Sequence, residues 1–124
     1  MNILKTGYIL GSVADIIFGV LLIAFPSVCL NIYGNDAVLS PDIRFWMAYA
    51  GIAIFTWTGF LVWGMKQLKE RKSIALVTAF VVTGFMIVQS VGLFYGIGLA
   101  VNMIPLFVMQ FILIALFLVG YAKA

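Results

Sequence analysis

The sequence contains no histidine and only one cysteine, Cys29, among its 124 residues. Haem, zinc and iron–sulfur sites take most of their ligands from these two residue types, and a disulfide within the chain needs two cysteines. We therefore expect no metal centre, no cofactor and no internal disulfide. Cys29 is predicted to be a small apolar residue near a membrane interface.

Charge is also scarce, at 9% of the residues. Acid–base and nucleophilic catalysis require two chemical groups within hydrogen-bond reach of each other. The acids are predicted to lie at different membrane depths or in separate loops, so we expect no catalytic residues and no enzyme. The few basic residues leave no basic soluble face, which argues against a nucleic-acid partner. The four acids are Asp15, Asp36, Asp42 and Glu70.

Apolar residues are abundant, at 65% of the chain, with a mean hydropathy of +1.23. A helix needs about 20 residues to cross the hydrocarbon core of a bilayer. The sequence therefore predicts an all-α protein with a single domain, residues 1–124, folded as a four-helix transmembrane bundle. The predicted helices cover residues 6–25, 43–65, 73–95 and 103–121.

The distribution of basic residues predicts the orientation of this bundle. Six of the seven fall on one side, and by the positive-inside rule that side, with both termini, is cytoplasmic. Trp46 and Trp63 lie about 17 residues, or roughly 25 Å, apart on the second helix, as expected for anchors at the two interfaces. We expect a multi-pass protein of a prokaryotic cytoplasmic membrane. The six residues are Lys5, Lys66, Lys69, Arg71, Lys72 and Lys123, and Arg44 is the exception.

Several residues mark predicted helix starts. Ser40 can cap the second helix with Pro41 in its first turn. Ser73 can cap the third helix. Asn102 can cap the fourth, which would place Pro105 in the first turn, where its missing N–H is harmless.

One face of the first helix combines small residues with an acid. Glycines let another backbone approach closely, and a carboxylate facing lipid costs several kcal/mol. This face therefore must meet protein or a cavity. Gly51 and Gly59 predict a second packing face on the second helix. The residues of the first face recur every fourth position: Gly7, Gly11, Asp15 and Gly19.

Three polar side chains, Asp15, Gln89 and Gln110, are predicted to lie within the membrane. Asp15 and Gln110 fall near the midplane, and Gln89 lies further outward. Asp15 could be a proton-linked site, a group that holds the polar end of a lipophilic ligand, or a structural group bonded to Gln110, Gln89 or a backbone carbonyl. The three alternatives stay open at this point.

A proline after the first helix, a Tyr-Gly turn, and an arginine and a glycine in the second helix resemble small four-helix membrane proteins of the DoxX-like kind. The resemblance covers about residues 7–60. It implies a four-helix bundle, often of unknown function and sometimes tied to quinone-linked redox or oxidative-stress systems, and no catalytic residue carries over. The residues concerned are Phe25, Pro26, Tyr33, Gly34, Arg44 and Gly51.

Ala14-Asp15 is also similar to the Ala-Glu pair in the first helix of small multidrug-resistance exporters. This similarity implies a proton-coupled exporter of hydrophobic cations in which Asp15 is the shared site for proton and substrate.

The leading functional expectation is a non-enzymatic membrane protein that binds a lipophilic small molecule, or another membrane protein, at a seam around Asp15. The exporter is the first alternative. The second is a structural subunit of a larger membrane complex or homo-oligomer that docks through the glycine face.

Overall fold

The computed structural model describes residues 2–32, 34 and 39–124. The four long helices each contain 22 to 25 residues and are apolar enough to cross a membrane. The described chain is therefore an all-α, multi-pass membrane bundle. The predicted features at Tyr33 and Asp36 lie outside the described residues. In chain order the helices are α1 (Asn2–Ala24), α2 (Pro26–Ile32), α3 (Pro41–Met65), α4 (Ser73–Phe94) and α5 (Ala100–Lys123).

The long helices run alternately up and down. Lys5, the 66–72 turn and Lys123 therefore share one end of the bundle, the basic end, while α2 lies at the opposite end, the α2 end. Helix α1 packs against α3 and α5, and α4 packs against α5. Helices α3 and α4 contact each other over only a short stretch, although they are consecutive spans.

Glycines bring α1 close to its two neighbours near the basic end. A Cβ atom at Gly7 would lie 3.3 Å from the ring of Phe117, and one at Gly11 would lie 3.1 Å from it. The Gly11 position also lies 3.3 Å from Leu61. These distances are shorter than ordinary side-chain contacts, so a larger residue at either glycine would push the helices apart.

Toward the α2 end, α1 approaches α3 still more closely. A Cβ atom at Gly19 would lie 2.8 Å from Phe55, and one at Gly51 would lie 2.6 Å from Ile23 and 3.1 Å from the carbonyl oxygen of Gly19. Small residues on both helices thus permit this contact, as in other membrane helix pairs.

Gly59 differs from the sequence prediction. It is exposed. Apart from the neighbouring backbone of its own helix, no described atom lies within 4 Å of the position that its Cβ atom would take. It is not a packing position in this bundle. Gly120, which was not predicted from the sequence, is a packing position instead, because a Cβ atom there would lie 2.8 Å from the Cα atom of Leu4.

The basic end contains the principal hydrophobic core. Its largest members are Tyr8 and Phe117, whose rings lie 5.9 Å apart between centroids. The Tyr8 hydroxyl donates a hydrogen bond to the carbonyl of Arg71 at 3.2 Å, which ties the 66–72 turn to α1. The basic-end core consists of Leu4, Tyr8, Leu61, Ala75, Ala79, Leu113 and Phe117.

The predicted cap of α3 is confirmed, because Ser40 Oγ accepts a hydrogen bond from the N–H of Ile43 at 3.2 Å. The other two predicted caps are wrong. Ser73 is the first helical residue of α4 and not its cap. Helix α5 starts earlier than predicted because Leu99 adopts an extended conformation and its carbonyl accepts from Met103, which places Asn102 and Pro105 inside the helix.

Replacing Gly11 by leucine tests the close approach of α1. We expect Gly11→Leu to lower the free energy of unfolding in detergent by about 1–3 kcal/mol, because the added side chain would overlap Phe117 and Leu61. Gly59→Leu is the matched control and should leave stability nearly unchanged, since Gly59 contacts no neighbouring helix. Equal melting temperatures for the two variants would contradict this packing.

Candidate functional site

A cavity of about 520 Å³ lies between α1, α3, α4 and α5, on the α2 side of the basic-end core. Leu61, Leu113 and Phe117 belong to both the core and the cavity wall, so the core closes the cavity toward the basic end. Its volume falls within the range of small-molecule sites, which are mostly apolar with a few placed polar groups.

The three polar residues singled out in the sequence all line this cavity. Asp15 comes from α1, Gln89 from α4 and Gln110 from α5. Because Gly120 lies against Leu4 and Gly7 against Phe117, the antiparallel register of α1 and α5 places Gln110 across from Asp15. Three helices thus contribute one polar side chain each to the same space.

The amide of Gln110 has an unusual environment. The residue is only 7% exposed, and its Oε1 atom has no hydrogen-bond partner among the described residues. The Oε1 atom of Gln89 is likewise buried without a partner. Leaving a buried polar atom unpaired costs roughly 1–3 kcal/mol, so the bundle tolerates two unfavourable groups at one cavity.

These unpaired oxygens bear on the structural interpretation of Asp15. A protonated Asp15 held by side chains would donate its O–H to the amide oxygen of Gln89 or Gln110. Neither oxygen accepts a hydrogen bond from any residue that the structure describes. The side-chain pairing predicted for a purely structural Asp15 is therefore not formed, and the half-buried carboxyl faces the cavity.

The remaining hydrogen-bonding side chains of the wall are satisfied within the protein. The indole N–H of Trp57 donates to Thr78 Oγ1 at 3.0 Å, and the Thr78 hydroxyl donates to the carbonyl of Ile74 at 2.6 Å. This link joins α3 to α4 near the basic end. Trp57 was not predicted from the sequence to belong to this site. A tryptophan inside a span is unusual, because tryptophans favour the two interfaces, and this position could have indicated a role in the interior.

Trp46 and Trp63 lie at opposite ends of α3 with large exposed surfaces. The guanidinium of Arg71 stacks 3.9 Å from the centre of the Trp63 ring and donates to the Trp63 carbonyl at 2.7 Å. Cys29 is fully buried in α2. Burial raises the pKa of its thiol, which keeps the reactive thiolate form rare.

Comparison with protein-family models, with curated proteins and with solved structures finds no match to this chain. The DoxX-like and exporter-like resemblances therefore stay predictions from the sequence.

Replacing Gln110 by methionine tests whether its amide is a stabilising element. Methionine has a similar volume and no atom that requires a hydrogen bond, so we expect Gln110→Met to leave the free energy of unfolding unchanged or to raise it by about 1 kcal/mol. Gln67→Met, in the exposed turn at the basic end, is the matched control and should have no effect. A clear loss of stability in Gln110→Met, measured by thermal unfolding in detergent, would show that the amide supports the fold.

Proposed function

We propose that this protein binds a lipophilic small molecule in the cavity, with the polar end of the molecule held by Asp15, Gln89 and Gln110. The observation that supports the proposal best is the amide of Gln110, which is 7% exposed and whose Oε1 atom has no partner among the described residues, in the same mostly apolar cavity wall as Asp15. A bound polar group would supply the hydrogen bonds that the protein leaves unmade.

The charges of the wall favour a ligand that donates hydrogen bonds. No lysine or arginine lines the cavity, so an ionised Asp15 has no protein counter-charge there. A protonated amine carries both the opposite charge and up to three N–H donors. An amine on a hydrocarbon chain therefore complements this cavity in charge and in polarity.

The two amides extend the range of possible ligands. Because no partner holds either Oε1 atom, each amide can turn and present its oxygen or its NH₂ group at little cost. A carbonyl-bearing ligand, such as a quinone, could then accept from the NH₂ groups. The test consequently needs one probe of each kind.

A proton-coupled exporter of hydrophobic cations is the second candidate. It is favoured by the position of Asp15 in a cavity that the basic-end core closes toward the basic end, since an exporter must keep its site closed to one side of the membrane at a time.

We propose further that the basic end is cytoplasmic, in a prokaryotic cytoplasmic membrane. The excess of lysine and arginine at this end supports that orientation. The cavity then lies toward the outer half of the bilayer.

Infrared spectroscopy of the Asp15 carboxyl tests ligand binding. In phosphatidylcholine nanodiscs we expect dodecylamine to convert the carboxylic-acid C=O band of Asp15 into a carboxylate band, because the ammonium group stabilises the ionised form. Decylubiquinone, the second probe, should shift the acid band without removing it. The band is assigned by its disappearance in Asp15→Asn.

We expect Asp15→Asn to weaken dodecylamine binding at least tenfold, or about 1.4 kcal/mol. Asp42→Asn, which changes an acid outside the cavity, should bind as the unchanged protein does. If neither probe changes the Asp15 carboxyl band, the proposed function is refuted. Accumulation of ethidium in proteoliposomes under a pH gradient, abolished by Asp15→Asn, would select the exporter.

Thiol labelling in intact cells tests the orientation. With Cys29→Ser as the background, a membrane-impermeant maleimide should label Asp42→Cys from outside, whereas Lys69→Cys should react only after the membrane is permeabilised. The reverse result would invert the proposed topology, and equal labelling of both positions would indicate mixed orientations.

A further inference from the structure

We infer that the ligand reaches the cavity sideways from the lipid, as a membrane-dissolved amphiphile whose hydrocarbon chain passes between α3 and α4. This inference rests on the proposed function. It adds the route and the class of ligand, a single-chain amphiphile that partitions into the bilayer before it binds.

Helices α3 and α4 touch near the basic end. The buried residues of α4 are Ala75, Thr78 and Ala79, all within its first two turns. The hydrogen bond between Trp57 and Thr78 lies at the same level. Beyond this level α4 has no buried residue, and it is held to the bundle by α5 and not by α3.

Three residues of the cavity wall are exposed at the surface of the bundle. Every cavity-lining residue contributed by α1 and α5 is buried or half-buried. The exposed lining residues are Ala50 and Ala53 on α3 and Phe85 on α4, with Phe85 48% exposed. The cavity therefore opens between α3 and α4, and we call these three residues the α3–α4 opening.

The surroundings of the α3–α4 opening are apolar. Ala50, Ala53 and Phe85 all fall inside membrane-spanning helices, and their helices present large apolar side chains such as Ile52 and Val88 to the surroundings. The medium at the opening is therefore lipid hydrocarbon and not water. Two alanines on one side leave room for a chain, while the single aromatic ring of Phe85 stands on the other.

The geometry also assigns the direction of the ligand. The polar side chains line the cavity on the α2 side of the basic-end core, and the three residues of the opening are apolar. A single-chain amphiphile fits with its head at Asp15 and its chain toward the opening. Its hydrocarbon chain has already left water on entering the bilayer, so the chain requires no passage through an aqueous mouth.

Binding kinetics of a quenching probe test this route. The experiment uses a variant in which Trp46→Phe and Trp63→Phe are combined. Trp57, in the cavity wall, is then the remaining tryptophan. The probe is ω-bromododecylamine dissolved in phosphatidylcholine vesicles, and stopped-flow quenching of Trp57 reports association and dissociation. Signal that Asp15→Asn removes is taken as binding at the site.

Narrowing the opening with Ala53→Phe should slow association and dissociation together by about tenfold each, because a gate changes the barrier and not the bound state. The Kd should change far less than either rate. Ile52→Phe adds the same bulk to a lipid-facing position of α3 and is the matched control. Phe85→Ala should accelerate both rates, with Val88→Ala as its control, and this variant keeps the test decisive if Ala53→Phe does not fold.

The outcomes separate the two proposals. If no quenching depends on Asp15, the proposed function fails. If such quenching occurs but neither Ala53→Phe nor Phe85→Ala changes the rates, the ligand enters elsewhere and the α3–α4 route is overturned. A change in Kd caused by the dissociation rate alone would make these residues part of the binding wall, which also overturns the route.

Discussion

The close approach of α1 to α3 and α5 is the constraint on which the rest of the structure depends. In a bilayer the hydrophobic effect does little to hold helices together, so their association relies on tight packing. Gly7, Gly11 and Gly19 allow α1 to touch both neighbours. Asp15 shares this face of the helix, so the packing that fixes α1 also directs the acid into the protein.

The bundle divides along the membrane normal into a sealed half and an open half. Aromatic and aliphatic side chains fill the space at the basic end, with Tyr8 and Phe117 at its centre. The cavity lies on the α2 side of Phe117, and Asp15, Gln89 and Gln110 line it. An unpaired amide in such a place is energetically unfavourable, and unsatisfied buried polar groups are typical of functional sites.

The helical architecture could be predicted because four long apolar runs admit few other folds in a membrane. The similar depth predicted for Asp15 and Gln110 suggested that these two side chains could meet. Depth does not give the rotation about each helix axis, so the sequence could not show that both of them line one cavity with Gln89. The cavity itself was not predictable, because it depends on the divergence of α3 and α4. Gly59 and Gly120 illustrate the same limit: both are glycines in a span, and only their partners show which one packs.

The short contact between α3 and α4 also has a consequence for biosynthesis. The most extensive contact joins α1 with α3, while α5 packs against both α4 and α1. Along the chain, α1 with α3 is thus the first packed pair, and α4 with α5 is the second. During synthesis the first pair is complete before α4 leaves the ribosome, and it can assemble without waiting for the second. The cavity forms only when the second pair docks, so it is completed in the last assembly step.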